Sequence, residues 1–200
     1  MKMTMIDRLV LLCTCLLAGY QIAVGVNGLD TLPIIAFTCA FGVLMVAGLL
    51  ILILGYEVLD SPIVVVISSI IPLSLSLGLV WDHLVDWQTP YLVFVMLGFL
   101  AIVITRINQP GKLAIIVLAV VHGIAGMIIL ILPLYLSRSG QVRLGFAWVS
   151  LGGALIGSGG LLLSFLKTGH PIFSRELILR ILPGLLLVMS AAYVVGFALK

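Results

Sequence analysis

The chain has 200 residues, of which 63% are hydrophobic and only 8% charged, with a formal net charge of +3 and a mean hydropathy of +1.39. A water-soluble domain carries roughly a quarter charged residues, because its surface must face solvent; here lipid must do the covering. The basic surplus forms no dense patch, which argues against nucleic acid as a partner and leaves the charges as orientation signals.

Seven apolar segments follow one another, at residues 9–26, 33–54, 62–80, 90–105, 113–136, 144–166 and 177–199. At 1.5 Å per residue most reach the roughly 27–35 Å needed to cross a hydrocarbon core of about 30 Å. The expected fold is all-α: a single integral membrane bundle over residues 1–200, with seven transmembrane helices and short connectors. The first segment, with Lys2 and Arg8 before it, is too long for a signal-peptide core and lacks a small-residue cleavage site, so it reads as a helix. The fourth is the shortest and would rely on Arg106 reaching the interface. Pro33, Pro62 and Pro90 stand where helices open, the place at which a missing N–H is harmless.

Lys and Arg set the orientation. Seven lie on the N-terminal side (Lys2, Arg8, Arg106, Lys112, Lys167, Arg175 and Arg180) against three on the other (Arg138, Arg143 and Lys200). The positive-inside rule then predicts a cytoplasmic N-terminus and, with seven spans, a C-terminus outside; the expected location is the plasma (inner) membrane. In the sixth segment, Ser150, Ala154 and Ser158 recur four apart beside Gly153 and Gly157. Small residues let helix backbones approach closely in lipid, so helix 144–166 is expected to be the hub of the bundle or its contact with a second copy or another subunit. Gly157 to Gly160 resembles a phosphate loop only superficially, having no lysine and no preceding strand.

No acid or base lies deep within a segment, which argues against ion pumps, proton-coupled transporters and intramembrane hydrolases. No enzymatic machinery and no cofactor are expected. Cys13, Cys15 and Cys39 read as small buried apolar residues rather than a disulfide set, the first two lying about 200° apart on a helix. His122 is the one ionisable group near a midplane, and a neutral imidazole there needs a hydrogen-bond partner. Ser69, Gln21 or Ser190 would serve. The alternative is a ligand to haem or a pigment magnesium, or a quinone contact, although His83 and His170 stand at the membrane surfaces and cannot complete a bis-histidine site.

Pro72 withdraws a donor from the Ser68 carbonyl mid-segment, with Ser68, Ser69 and Ser76 nearby. The expected outcome is a tolerated kink; the functional alternative is a broken-helix substrate site drawing on Gln21, Ser69, Ser76 and His122. Asp82, His83 and Asp86 between Trp81 and Trp87 would offer an incomplete metal site if the helix ran on, and otherwise an interfacial cap with aromatic anchors. The function that follows is a non-catalytic multi-pass membrane protein, either a small subunit of a complex or free-standing. A facilitator of a small neutral or apolar solute and a haem-, pigment- or quinone-binding subunit are the alternatives.

Overall fold

The structure is a computed structural model that describes residues 3–108, 111–167 and 173–200. It is all-α among those residues: α1 (Met5–Val24), α2 (Thr31–Leu54), α3 (Pro62–Ser68), α4 (Ile70–His83), α5 (Gln88–Asn108), α6 (Lys112–Arg138), α7 (Ala147–Lys167) and α8 (Arg175–Ala198), with 3-10 turns at Tyr56–Asp60, Val85–Trp87 and Leu144–Phe146. Six spans are long and apolar enough to cross a bilayer, and α7 supplies a shorter apolar stretch over Leu144–Gly160. The chain is a helical membrane bundle of about seven spans, with α3 and α4 together forming the third.

Local chemistry explains where the boundaries differ from the apolar runs. The first helix begins at Met5 because Thr4 and Asp7 cap each other, Thr4 N donating to Asp7 Oδ2 at 2.8 Å and Asp7 N to Thr4 Oγ1 at 3.2 Å. It ends at Gly25, whose φ of 68° needs a residue without a Cβ. The fourth span is not short. Its helix runs from Gln88 to Asn108, 21 residues, or about 31 Å, because polar Gln88, Thr89 and Asn108 are helical as well. Pro62 opens α3 at its first residue, while Pro33 and Pro90 sit two residues further into α2 and α5, still within the first turn where no donor is lost.

Neighbouring spans pack in a ring: α1 on α2, α2 on α4, α4 on α6, α6 on α7, α7 on α8, and α8 back on α1, with α5 laid against α4 and α6 from outside. The third span is well enclosed, with 50% of its apolar window buried against its neighbours, while α7 packs on α6 and α8. The stripe in α7 divides accordingly. A Cβ on Gly153 would stand 3.0 Å from backbone atoms of Ile129 and Leu130, and one on Gly152 would strike the Tyr193 ring at 2.5 Å, whereas Gly157 has open space and Ala154 and Ser158 are exposed. Of the cysteines, only Cys15 is buried, its thiol reaching the Met45 carbonyl at 3.6 Å; Cys13 and Cys39 are on the outer surface of the bundle.

The main core joins Phe37, Phe41, Leu75, Leu79, Ile129, Phe146, Tyr193 and Phe197. Its aromatic rings meet at centroid distances of 4.7 Å (Phe37–Phe197) and 6.2 Å (Phe41–Tyr193). All of these lie in the half of the bundle away from the N-terminus.

Two ion pairs fix which connectors share an end. Arg175 Nη2 meets Asp60 Oδ2 at 2.8 Å at the N-terminal end, and Lys200 Nζ meets Asp82 at the opposite end. Asp60 and Arg175 are separated by four spans, as are Asp82 and Lys200. Alternating crossings require each pair to share an end.

Candidate functional site

The third span carries the main irregularity. Its helix breaks at Ser69, three residues before Pro72, and the polar groups around the break are satisfied locally. Ser68 Oγ donates to the Val65 carbonyl at 3.0 Å and Ser69 Oγ to the Val66 carbonyl at 2.6 Å. The Ser69 amide is shared between the Val65 and Val66 carbonyls, both at 3.2 Å, the tightening that a missing proline donor invites.

Beyond the break, Ser76 Oγ donates to the Pro72 carbonyl at 2.7 Å and receives the Tyr91 hydroxyl at 2.8 Å. This Tyr91–Ser76 bond ties α5 to α4 inside the bundle. Nothing in the α5 sequence singles out Tyr91, except that a tyrosine one residue after Pro90 was available to partner a serine on the preceding span.

The break also separates two packing environments. Eight residues of α4 are buried and it packs on α2, α5 and α6; α3 buries none and packs on α2 and α5 but not substantially on α6. Toward the N-terminal end the third span therefore packs on α2 and α5 rather than on α6, and Val66 joins the cluster that α5 and α6 build from Ile102, Val121 and Leu118.

His122 stands on α6, about 15 Å along the helix from Lys112. It is half-buried, and its ring meets the backbone of Leu118, one turn earlier on the same helix. None of the expected partners reaches it: Gln21 Nε2 donates to the Gly25 carbonyl at 2.7 Å, Ser69 to Val66, and Ser190 to the Leu186 carbonyl at 2.8 Å. Each short polar side chain finds a carbonyl on its own helix before it can reach across. Arg106 is half-buried in the last turn of α5. Its Nε is buried without a partner, and no carboxylate pairs with it among the described residues.

The four residues considered for a substrate site thus divide. Ser69 and His122 belong to the N-terminal half, Ser76 is engaged by Tyr91, and Gln21 lies near the far end of α1. The space beside Gln21, lined by Leu29, Phe37, Thr38 and Phe41, is about 10 Å³, the least that holds one water.

At the opposite end, Asp82, His83 and Asp86 do not converge. The helix stops at His83, and a 3-10 turn carries Asp86 into solvent. Asp82 pairs with Lys200; His83 Nε2 lies 3.1 Å from the same carboxylate but makes no hydrogen bond, and the His83 ring meets Phe146 edge-on at 5.7 Å. No group of three or more His, Cys, Asp or Glu that could hold a metal occurs among the described residues. Gln88 Nε2 donates to the Trp81 carbonyl at 2.8 Å and so covers the end of α4, while Trp87 is exposed. An open concavity of about 750 Å³ lies alongside, between the Gly25–Asn27 and Gly140–Arg143 turns and the end of α8. On α8, Glu176 and Arg180 make no ion pair with each other; Arg175 takes Asp60. His170 and Lys2 lie outside the described residues.

No protein-family model, curated protein or solved structure matches the chain. It is a multi-pass helical membrane protein. Any finer role has to be drawn from its own geometry.

Proposed function

We propose that this is a non-catalytic membrane protein that works through helix contacts, as a small subunit of a larger assembly. It would lie in the plasma (inner) membrane with its N-terminus cytoplasmic and its C-terminus outside. The observation that carries this reading is the two-sided use of α7. Gly152 and Gly153 hold it tightly on α8 and α6, while Ala154, Gly157 and Ser158 remain on its outward face. A face of small residues gains little from lipid tails, which cannot follow its contour, but permits close backbone approach by another helix. The seven-to-three distribution of basic residues supports the orientation. Ala154→Cys in a background lacking the three native cysteines, cross-linked by mild oxidation in native membranes, tests the contact. A discrete linked product supports it, and a chain that stays monomeric while lipid-soluble reagents label the introduced thiol contradicts it.

A second reading, a facilitator for a small solute, is favoured by one specific observation: the third span is broken at Ser69 and diverges from α6 on one side only. Discontinuous helices of this sort line substrate paths in many transporters. Flux into vesicles that falls when Ser69 is replaced by Leu would support it.

A further inference from the structure

In the ring of spans α4 and α8 stand on opposite sides, separated by α2 and α1 one way round and by α6 and α7 the other. At the end away from the N-terminus one contact links these two walls. Lys200, just beyond α8, meets the Asp82 carboxylate in the last turn of α4. The pair adjoins an aromatic series that leads into the main core: His83 meets Phe146 at 5.7 Å, Phe146 meets Phe197 at 6.1 Å and Phe197 meets Phe37 at 4.7 Å. It is not an open surface pair, because the Asp82 and Lys200 side chains are only 18% and 19% exposed, and water and salt weaken such a contact less than an exposed one. A second base stands ready for the same atom. His83 Nε2 lies 3.1 Å from Asp82 Oδ2, the oxygen that Lys200 takes, and is buried without a hydrogen bond. The other charges at this end, Asp30, Asp86, Arg138 and Arg143, are exposed, and none of them pairs with His83 among the described residues.

We propose that the Lys200–Asp82 pair is a proton-released latch across the end of the bundle opposite the N-terminus, with His83 as the proton acceptor that releases it. While His83 is neutral, Lys200 holds the carboxylate and ties α8 to α4. A protonated ring carries an N–H on both nitrogens and a positive charge, and it already stands beside the same oxygen. Two cations on one oxygen repel, and the one on a flexible four-carbon stem gives way more readily than the ring packed on Phe146. Asp82 then bonds to its neighbour on α4, and the link between opposite walls is lost. Proton uptake by His83 and the Lys200 contact each weaken the other, as reciprocal linkage requires. Lys200 has space to move into, since it lines the open concavity of about 750 Å³ between the Gly25–Asn27 and Gly140–Arg143 turns. The latch needs neither a partner on α7 nor a solute path.

The test is the thermal midpoint of the purified full chain in mild detergent from about pH 5 to about pH 8, the range over which a histidine changes charge. The variants are K200Q, H83F and the two combined. At the upper pH, K200Q should lower the midpoint by about 2–4 °C. At the lower pH its cost should shrink toward zero, because the wild type has then released the contact by itself. H83F keeps a ring against Phe146 and takes no proton, so in that background K200Q should cost the same at both pH values. If H83F does not fold, H83N serves in its place. K200Q added to D82N should cost nothing at either pH, since the shared partner is gone. Three results overturn the proposal: no cost of K200Q at the upper pH, an equal cost at both pH values in the wild type, or a cost that falls with pH just as steeply once His83 is replaced. The last would place the titration on a different group.

Discussion

Replacing Gly153 and Gly157 by leucine, one at a time, separates packing from mere sequence pattern. The two glycines sit four apart on α7 and look equivalent in sequence. At Gly153 the first added carbon would already be 2.8 Å from Ile129 Cγ2 and 3.0 Å from the Ile129 carbonyl carbon and the Leu130 nitrogen. Two of these atoms are backbone, so relief requires α6 and α7 to move apart, and the remaining three carbons of leucine have no space. Overpacking of this kind costs about 1–3 kcal/mol, which in a chain of this size lowers Tm by about 2–12 °C. At Gly157 a Cβ meets nothing within 4 Å. Leucine there gains helix propensity of up to about 1 kcal/mol, so Tm should hold or rise slightly. The assay is fluorescence-detected size exclusion after heating in mild detergent. Equal losses for both variants would refute the packing of α7 on α6 described here, and so would a Gly153→Leu protein as stable as the wild type.

Tyr91→Phe removes the bond from α5 to Ser76 but leaves Ser76 its Pro72 carbonyl. The loss should be close to the ~0.6 kcal/mol average for interhelical bonds in a bilayer and below about 1.7 kcal/mol, read from reversible unfolding in mixed micelles; a larger loss would mean that Tyr91 does more than hold α5. On the connector between α2 and α3, burial first and the Asp7 charge second push the Tyr56 phenol up to about 12 from its ordinary 10. The folded state therefore keeps its proton where the unfolded chain has lost it. Its contribution to stability is complete below pH 10 and is lost as pH rises toward 12. Thermal midpoints measured from about pH 9 to 12 should fall more steeply in the wild type than in Tyr56→Phe, and parallel slopes would remove this account of Tyr56.

The spans themselves were legible, because lipid demands some 20 apolar residues in succession and the chain has little else. The ends were less so: the apolar run starts at Leu9, yet the Thr4–Asp7 capping box begins α1 at Met5, and polar Gln88 and Asn108 extend the fourth span beyond its apolar part. Pro72 signalled a disturbance in the third span, but the break falls at Ser69, where the hydroxyl and the shared amide can absorb it. His122 was conspicuous as a lone imidazole. That its ring is met by the Leu118 backbone on its own helix, and not by Gln21, Ser69 or Ser190, depended on each of those side chains finding a nearer carbonyl. The two glycines of α7 could not be told apart without knowing which face meets α6. The Asp82–His83–Asp86 cluster would have needed the helix to continue, and it ends at His83.

Seven alternating crossings put Asp60 and Arg175 at one end of the bundle and Asp82 and Lys200 at the other. Compartment-specific reporters fused after Lys112 and after Lys200 test this most directly. The first should be active only in the cytoplasm and the second only on the opposite side; both reporters in the same compartment would contradict the seven-span bundle.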